Sequence, residues 1–465
     1  MTISFGETLD KAYEGINTVS TILGKLESVT MIRDVYGKIT LYLEPKSDDS
    51  PTSEEIIQVK NELDSRLGPY FGQDIWISGE TKTAHQSLGK LVVQQRASAK
   101  WDQEGVTPRW YVLERHISKK AWTSRHRAAQ PPWDYQVASQ GHKPKIVSFF
   151  SFKGGMGRTT SMVATALTMA RRGYRIGLVD LDLEAPGLSS IFFKSDVNFT
   201  GVTDYLLEKR VQSTWPIRQS IQLINEPVLV GDTGETIYSL PAGTVNEEYL
   251  EKLARLDFQH LIDKDHNLAE IMQTMLNDLE IYYRRSSTMD RRVLDYIFID
   301  ARAGFHDIGG LAVSDLSHAS VLFGNNSQQT WLGLEQVIRR LARHDGGEPQ
   351  SVLLAHAMAP PLGAHGREEE LERFRVKAYD TFLDQYYSAP TFIDQDIPNS
   401  NDPDAPFTPV VLPWQQAFRG EIALYTRDDS TNERDRVSEY VQLLTDETYQ
   451  QMAKRICLLF GDEFR

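Results

Sequence analysis

From residue 144 onward, short runs that are almost wholly apolar alternate with segments of helical periodicity. The runs are IVSFF (146–150), YRIGLV (174–179), TIYSL (236–240), YIFI (296–299), ASVLF (319–323), SVLLA (351–355) and PVVLP (409–413). A strand without a polar face must be covered on both sides, which is the mark of a parallel sheet wrapped by crossover helices. Thr160–Arg172, Asn246–Ile262 and Trp331–Arg343 carry the apolar spacing of such helices. The expectation is a doubly wound, mostly parallel α/β domain over 146–430.

The first 123 residues read differently, as a small α+β module. SVTMIRDVYGKITLYLEP (28–45) is strand, glycine turn, strand. SEEIIQVKNELDSRLG (53–68) predicts a helix with Ser53 as N-cap and Gly68 as its stop. DIWIS (74–78) predicts a strand, and RWYVLERHISKKAW (109–122) a strand running into a helix. Residues 124–145, with paired prolines and little periodicity, read as a linker. Between Arg109 and Lys145 eight Lys/Arg face two acids, interleaved with Trp110, Tyr111, Trp122, Trp133 and Tyr135. Such a stretch can bind nucleic acid; a linker with its tryptophans packed on a neighbouring domain is the favoured reading. The C-terminal YVQLLTDETYQQMAKRICLLFGDEF (440–464) is amphipathic but carries Asp446, Glu447, Asp462 and Glu463. It is read as part of a helical segment (431–465) docked on the α/β domain and not as a membrane anchor.

The chemistry sits in FKGGMGRTT (152–160), between the first apolar run and the first helix. Gly154, Gly155 and Gly157 let backbone come close to a ligand, and the following helix start aims N–H groups at an anion. The pattern G-x-x-x-x-G-K-[ST] is broken twice: Phe152 stands at the first glycine and Arg158 at the lysine. Two acidic strand ends follow, IGLVDLDLEAPGLSS (176–190) and YIFIDARAGF (296–305). An ionised carboxylate such as Asp300 after four apolar residues is costly without a partner.

These three motifs, in this order, resemble the ParA/MinD-type P-loop ATPases, with their deviant loop KGGxGKT[ST]. The arginine makes the chain similar to a bacterial subgroup, the KGGVGR-motif variants. IYSLPAG (237–243) and VVLPW (410–414) resemble later strands of the family, so the likeness covers about 145–420. It implies a cytoplasmic, magnesium-dependent ATP-binding protein that dimerises with nucleotide. Lys153 would reach the partner protomer's phosphates. Arg158 would take the loop-lysine place on the β- and γ-phosphates. Gly154, Gly155, Met156, Gly157 and Thr160 would cradle the phosphates, and Pro413 with Trp414 would pass the adenine. Thr159, Asp180 and Asp300 would serve the metal, and Asp182 would orient the attacking water. By the same likeness His356 lies near the base, Asn325 and Asn326 near ribose or the partner protomer, and Arg302 and His306 just past Asp300.

Two functions compete. One is a slowly hydrolysing, nucleotide-switched ATPase that signals to proteins in a bacterial regulatory or defence-type system. The other is a non-hydrolysing module with nucleotide as a structural ligand. Arg keeps the charge of Lys but is longer, planar and bidentate, so the substitution leaves both open; the retained Asp182 and Asp300 favour hydrolysis. A metal- or redox-handling role fails on composition, because Cys457 is the single cysteine and the eleven histidines show no metal-ligand spacing. The start of the chain does not read as a signal peptide, and no stretch reaches the ~18 apolar residues of a membrane span. A net charge of −14 argues against indiscriminate nucleic-acid or membrane binding by the whole surface. Protein partners are expected at the N-terminal module or at the long segment 191–293.

Overall fold

The computed structural model describes residues 3–465 apart from 48, 80–82, 125–126, 128, 138–141, 195, 233, 258–267, 287–291, 345 and 429. It separates into two compact units, Met1–Ser118 and Lys119–Arg465.

In the first unit β1 (Leu26–Arg33) and β2 (Ile39–Pro45) form an antiparallel hairpin. β3 (Phe71–Ile77) lies parallel to β2, β5 (Arg109–Glu114) lies parallel to β1, and the short β4 (Ala97–Ser98) runs antiparallel to β5. The helices are α1 (Thr8–Asn17), α2 (Ser53–Leu67) and α3 (Thr83–Gln95). Thr52, not Ser53, caps α2. Its hydroxyl accepts from the Glu55 N–H while the Glu55 carboxylate accepts from the Thr52 N–H, a reciprocal cap worth about 1 kcal/mol. Trp110 is buried with Val29, Met31, Leu41 and Leu63 and meets Tyr13 edge-on at 4.7 Å. That ring is core, so it is not a stacking platform for a base.

The second unit is built on an eight-stranded sheet. Its strands are β6 (Lys145–Ser151), β7 (Ile176–Leu181), β8 (Gln222–Ile224), β9 (Ile237–Leu240), β10 (Tyr296–Ala301), β11 (Ala319–Gly324), β12 (Ser351–Ala359) and β13 (Val410–Pro413). The order is β13-β12-β11-β6-β10-β7-β9-β8, parallel throughout except for the β8–β9 edge pair. Alternation along β6 decides which core each residue joins. Ile146 and Phe150 pack with α5 (Leu268–Ser286), α6 (Gln328–Ala342) and α7 (Arg367–Gln385) on one face. Val147 and Phe149 pack with α4 (Arg158–Ala170), α8 (Thr431–Leu444) and α9 (Glu447–Leu459) on the other. This is the two-sided cover that apolar strands require.

Two local expectations change, and a third is met as far as the described residues reach. The amphipathic run 440–464 is split between α8 and α9, because the Asp446 side chain accepts from the N–H groups of Thr448 and Tyr449 and starts a new helix. The helix expected from Asn246 is described over Glu247–Asp257; the remainder of that expectation lies outside the described residues. The stretch read as a linker belongs to the second unit: Trp133 is buried and its indole N–H donates to the Pro144 carbonyl at 2.7 Å. Trp122 likewise packs on Phe150, at 5.5 Å. Among the described residues no helix is long and apolar enough to cross a membrane.

His318 joins this stretch to the sheet. Its Nδ1 accepts from the Ile146 N–H at 2.9 Å and its Nε2 lies 3.0 Å from the Trp133 carbonyl. Burial pushes this imidazole down to about 4, against about 6.5 in an unfolded chain. Between those values the unfolded chain holds the extra proton. Stability is therefore full above about pH 6.5 and falls as pH drops toward 4, by up to about 3 kcal/mol. Melting temperature should drop between pH 7.5 and pH 5, and His318→Gln should flatten that slope.

Candidate functional site

Parallel strands deliver their C-terminal ends to one edge, and that is where the chemistry-bearing residues gather. β6 ends at Ser151 and runs into the glycine loop, and Asp300 on β10 stands in register with Phe149 on one side and Asp180 on the other. Gly155 and Gly157 have φ of +76° and +70°, the left-handed conformation that side chains resist. A Cβ on Gly154, Gly155 or Gly157 would meet nothing within 4 Å. The loop thus encloses an open cradle at the positive end of the thirteen-residue α4, as an anion site requires. Lys153 is exposed at its rim, Met156 is buried in the core below, and Thr160 is half-buried on α4.

Arg158 opens α4, and its guanidinium does not point into the cradle. Its Nε donates to Asp300 and its Nη2 donates to Asp182 at 2.5 Å. Thr159 donates its hydroxyl to the second oxygen of Asp300 at 2.5 Å. Arg158 and Asp182 are nearly buried and Asp300 wholly so. Burial raises the Asp300 carboxyl above the usual range, and the charge of Arg158 and the Thr159 hydroxyl oppose that. The resemblance gave Arg158 to the phosphates; in this structure it is the counter-cation of two carboxylates.

Asp180, which the resemblance assigns to the metal, is enclosed by backbone amides. One oxygen accepts from the Asp182 N–H at 3.1 Å, the other from the N–H groups of Gly187 and Leu188 at 3.1 and 3.0 Å. It fixes the turn that follows β7. Burial, then the neighbouring Asp300, raises its carboxyl well above the ordinary range. Gly187 is needed there: a Cβ would lie 2.7 Å from the Thr159 methyl.

The other candidates divide. Asn325 accepts from the Ser327 N–H and the Thr330 hydroxyl, and Asn326 donates to the Glu370 carbonyl. Both shape the start of α6. His356 is buried and stacks on Phe374 with centroids 4.0 Å apart. Pro413 ends β13 and Trp414 is 39% exposed. Arg302 and His306 both reach Glu184, His306 at 3.0 Å. That acid ties the turn after β7 to the turn after β10. Sequence reading passed over Glu184, although its place two residues after Asp182 was a usable signal.

The arrangement suits a triphosphate with magnesium. The cradle is open where phosphate oxygens would sit, and Thr159 and Asp300 are the hard oxygen donors that magnesium prefers.

Residues 144–315 match the family model described as an AAA domain. The tyrosine-protein kinase CpsD of Streptococcus pneumoniae is 41% identical over 70 residues, which are 15% of this chain and 30% of that protein. The cytosolic Fe-S cluster assembly factor CFD1 of Candida albicans is 28% identical over 103 residues, 21% and 35% of the two chains. Among solved structures, the septum site-determining protein MinD complexed with Mg-ADP, from Pyrococcus horikoshii, has a TM-score of 0.40 at 17% identity, over 69% of this chain and 98% of that one. The chain spans only about a third of the length of these two curated relatives. The family match falls on the glycine loop, on both acidic strand ends and on the parallel strands that bring them together. Residues 144–315, which hold the glycine loop and both acidic strand ends, are thus the part of the chain that is similar to an AAA domain.

Proposed function

We propose that the 119–465 unit is a slow, magnesium-dependent ATP switch that dimerises in its ATP state. The observation that supports this most directly is the Arg158–Asp182–Asp300 cluster below an open glycine cradle. A purely structural turn has no use for two carboxylates and a guanidinium withdrawn from water, which cost heavily unless paired. In this reading the loop amides of 154–160 and the start of α4 bind the phosphates. Thr159 and Asp300 hold the metal, whose chemistry is to neutralise charge on the β- and γ-oxygens. Asp182 orients water, and Arg158 exchanges its carboxylate partners for phosphate oxygens. Lys153, exposed at the rim, completes the site of a second protomer. Arg158 at the loop-lysine position supports a likeness to the KGGVGR-variant subgroup. Partner proteins in a regulatory or defence-type bacterial system would read the dimer through the N-terminal unit or the segment 191–293, in the cytoplasm.

A second reading has one observation in its favour. With Arg158 held by Asp182, the water-orienting group is engaged, and a binder that never hydrolyses would look the same. Size-exclusion chromatography of the full chain with ATP, ADP or no nucleotide tests the first reading, together with phosphate release against Asp182→Ala. ATP alone should shift the chain to dimer, and release should exceed that control. Dimer formation without release above the control selects the second reading; no response to ATP in either assay refutes the first, and absence of heat on titrating Mg-ATP refutes both.

A further inference from the structure

A second concave site lies in the 119–465 unit, with none of the glycine-loop residues in its lining. It is a cavity of about 250 Å³ at the C-terminal turn of α6. Four arginines line it: Arg127, Arg339, Arg340 and Arg343. The rings of Trp122 and Phe305 form its apolar wall, and no carboxylate is among its described lining residues.

The guanidinium groups are held largely by neutral acceptors. Arg127 donates to the carbonyls of Ser314 and Asp315 at 2.8 and 3.1 Å, Arg340 to that of Ser124 at 2.5 Å, and Arg343 to that of Glu348 at 2.7 Å. These bonds orient the guanidinium groups. Arg127 also forms an ion pair with the buried Asp315, Nε to Oδ1 at 4.0 Å. Burial, then the nearby Arg127 and Arg340, push the Arg343 guanidinium down to about 10. A chain of net charge −14 has thus gathered cations against one another in a partly buried hollow, where Coulomb repulsion is weakly screened.

We propose that this cavity binds a compact, phosphate-bearing anion as a second ligand besides the nucleotide. Guanidinium forks match phosphate oxygens bidentately and remain charged when half-buried. The shape selects the size of ligand: a hollow of about 250 Å³ admits a pyrophosphate group, whereas a duplex presents its phosphates along an extended track. The cavity also adjoins the first site. Phe305 of its wall meets Trp122 at 5.4 Å and Phe152, at the start of the glycine loop, at 5.0 Å.

The test is calorimetric titration of inorganic pyrophosphate into the full chain carrying Gly155→Asp, which puts a carboxylate into the loop cradle and silences it. Binding should persist there. Arg339→Glu, at an exposed side chain whose change spares the fold, should weaken it at least about tenfold, and Arg343→Gln should weaken it further. Arg375→Glu, at an exposed arginine elsewhere in the unit, should leave it unchanged. Displacement by ADP in the same background would identify a nucleotide as the source of the phosphates, and failure of ADP a bare polyphosphate; both support the site. No heat in the Gly155→Asp chain, or equal affinity in the Arg339→Glu chain, overturns it. So does a duplex oligonucleotide that outcompetes pyrophosphate, which would assign the arginines to nucleic acid.

Discussion

Replacing Arg158 with alanine should lower the melting temperature of the chain without nucleotide by roughly 4 °C, the equivalent of about 3 kcal/mol. The reason is charge and not packing. Asp300 is fully buried and Asp182 nearly so, and Arg158 donates to both. Its removal leaves one carboxylate with the Thr159 hydroxyl and the other without its cation. Losing one side of a buried ion cluster costs far more than losing both, so Arg158→Met combined with Asp182→Asn and Asp300→Asn should recover most of the loss. Arg158→Lys keeps the charge but offers a compact ammonium where the planar fork reached two acids at once, so its melting temperature should fall in between. If Arg158→Ala melts with the wild type in differential scanning calorimetry, the three-residue cluster does not exist in solution. The account of the nucleotide-free site would then have to be abandoned.

Much of the fold was readable because strands covered on both faces leave a plain trace. IVSFF, YIFI and SVLLA have no polar face, and each became a central strand of the sheet. The edge strand β8 left no such trace: QLI is three residues long, with Leu223 exposed. The break between α8 and α9 turned on one carboxylate, Asp446, capping two amides inside an otherwise continuous amphipathic pattern. The loop and both acidic strand ends could be found from residue order alone, because glycine conformation and strand-end acids are local properties. The direction of the Arg158 side chain could not. It depends on Asp182 and Asp300, 24 and 142 residues further along, and only the β6–β10–β7 register brings them together. The same register explains Asp180. Placed opposite Asp300 and enclosed by the turn amides, it became the anchor of that turn, although the spacing D-x-D gives its two acids equal standing.

Asp182→Asn should separate binding from turnover in opposite directions. In the nucleotide-free chain Asp182 accepts from the Arg158 Nη2 at 2.5 Å, so it competes with phosphate for that guanidinium. The amide keeps the shape but gives up the charge. A hydrogen bond to a charged group nets about 1.5–3 kcal/mol, so ATP affinity should rise about tenfold. Phosphate release should fall about a hundredfold or more, the usual loss when the group that positions or deprotonates a nucleophile is removed. Asp300→Asn gives the contrast: it weakens the anchor for Thr159 and the metal, so affinity and release should fall together. Fluorescent-nucleotide titration and single-turnover phosphate release on both variants measure the two quantities. Were Asp182→Asn to bind ATP more weakly than the wild type, Arg158 would not be restrained by that carboxylate. Were its release unchanged, Asp182 would have no part in the water's attack, and its charge would serve only to hold Arg158.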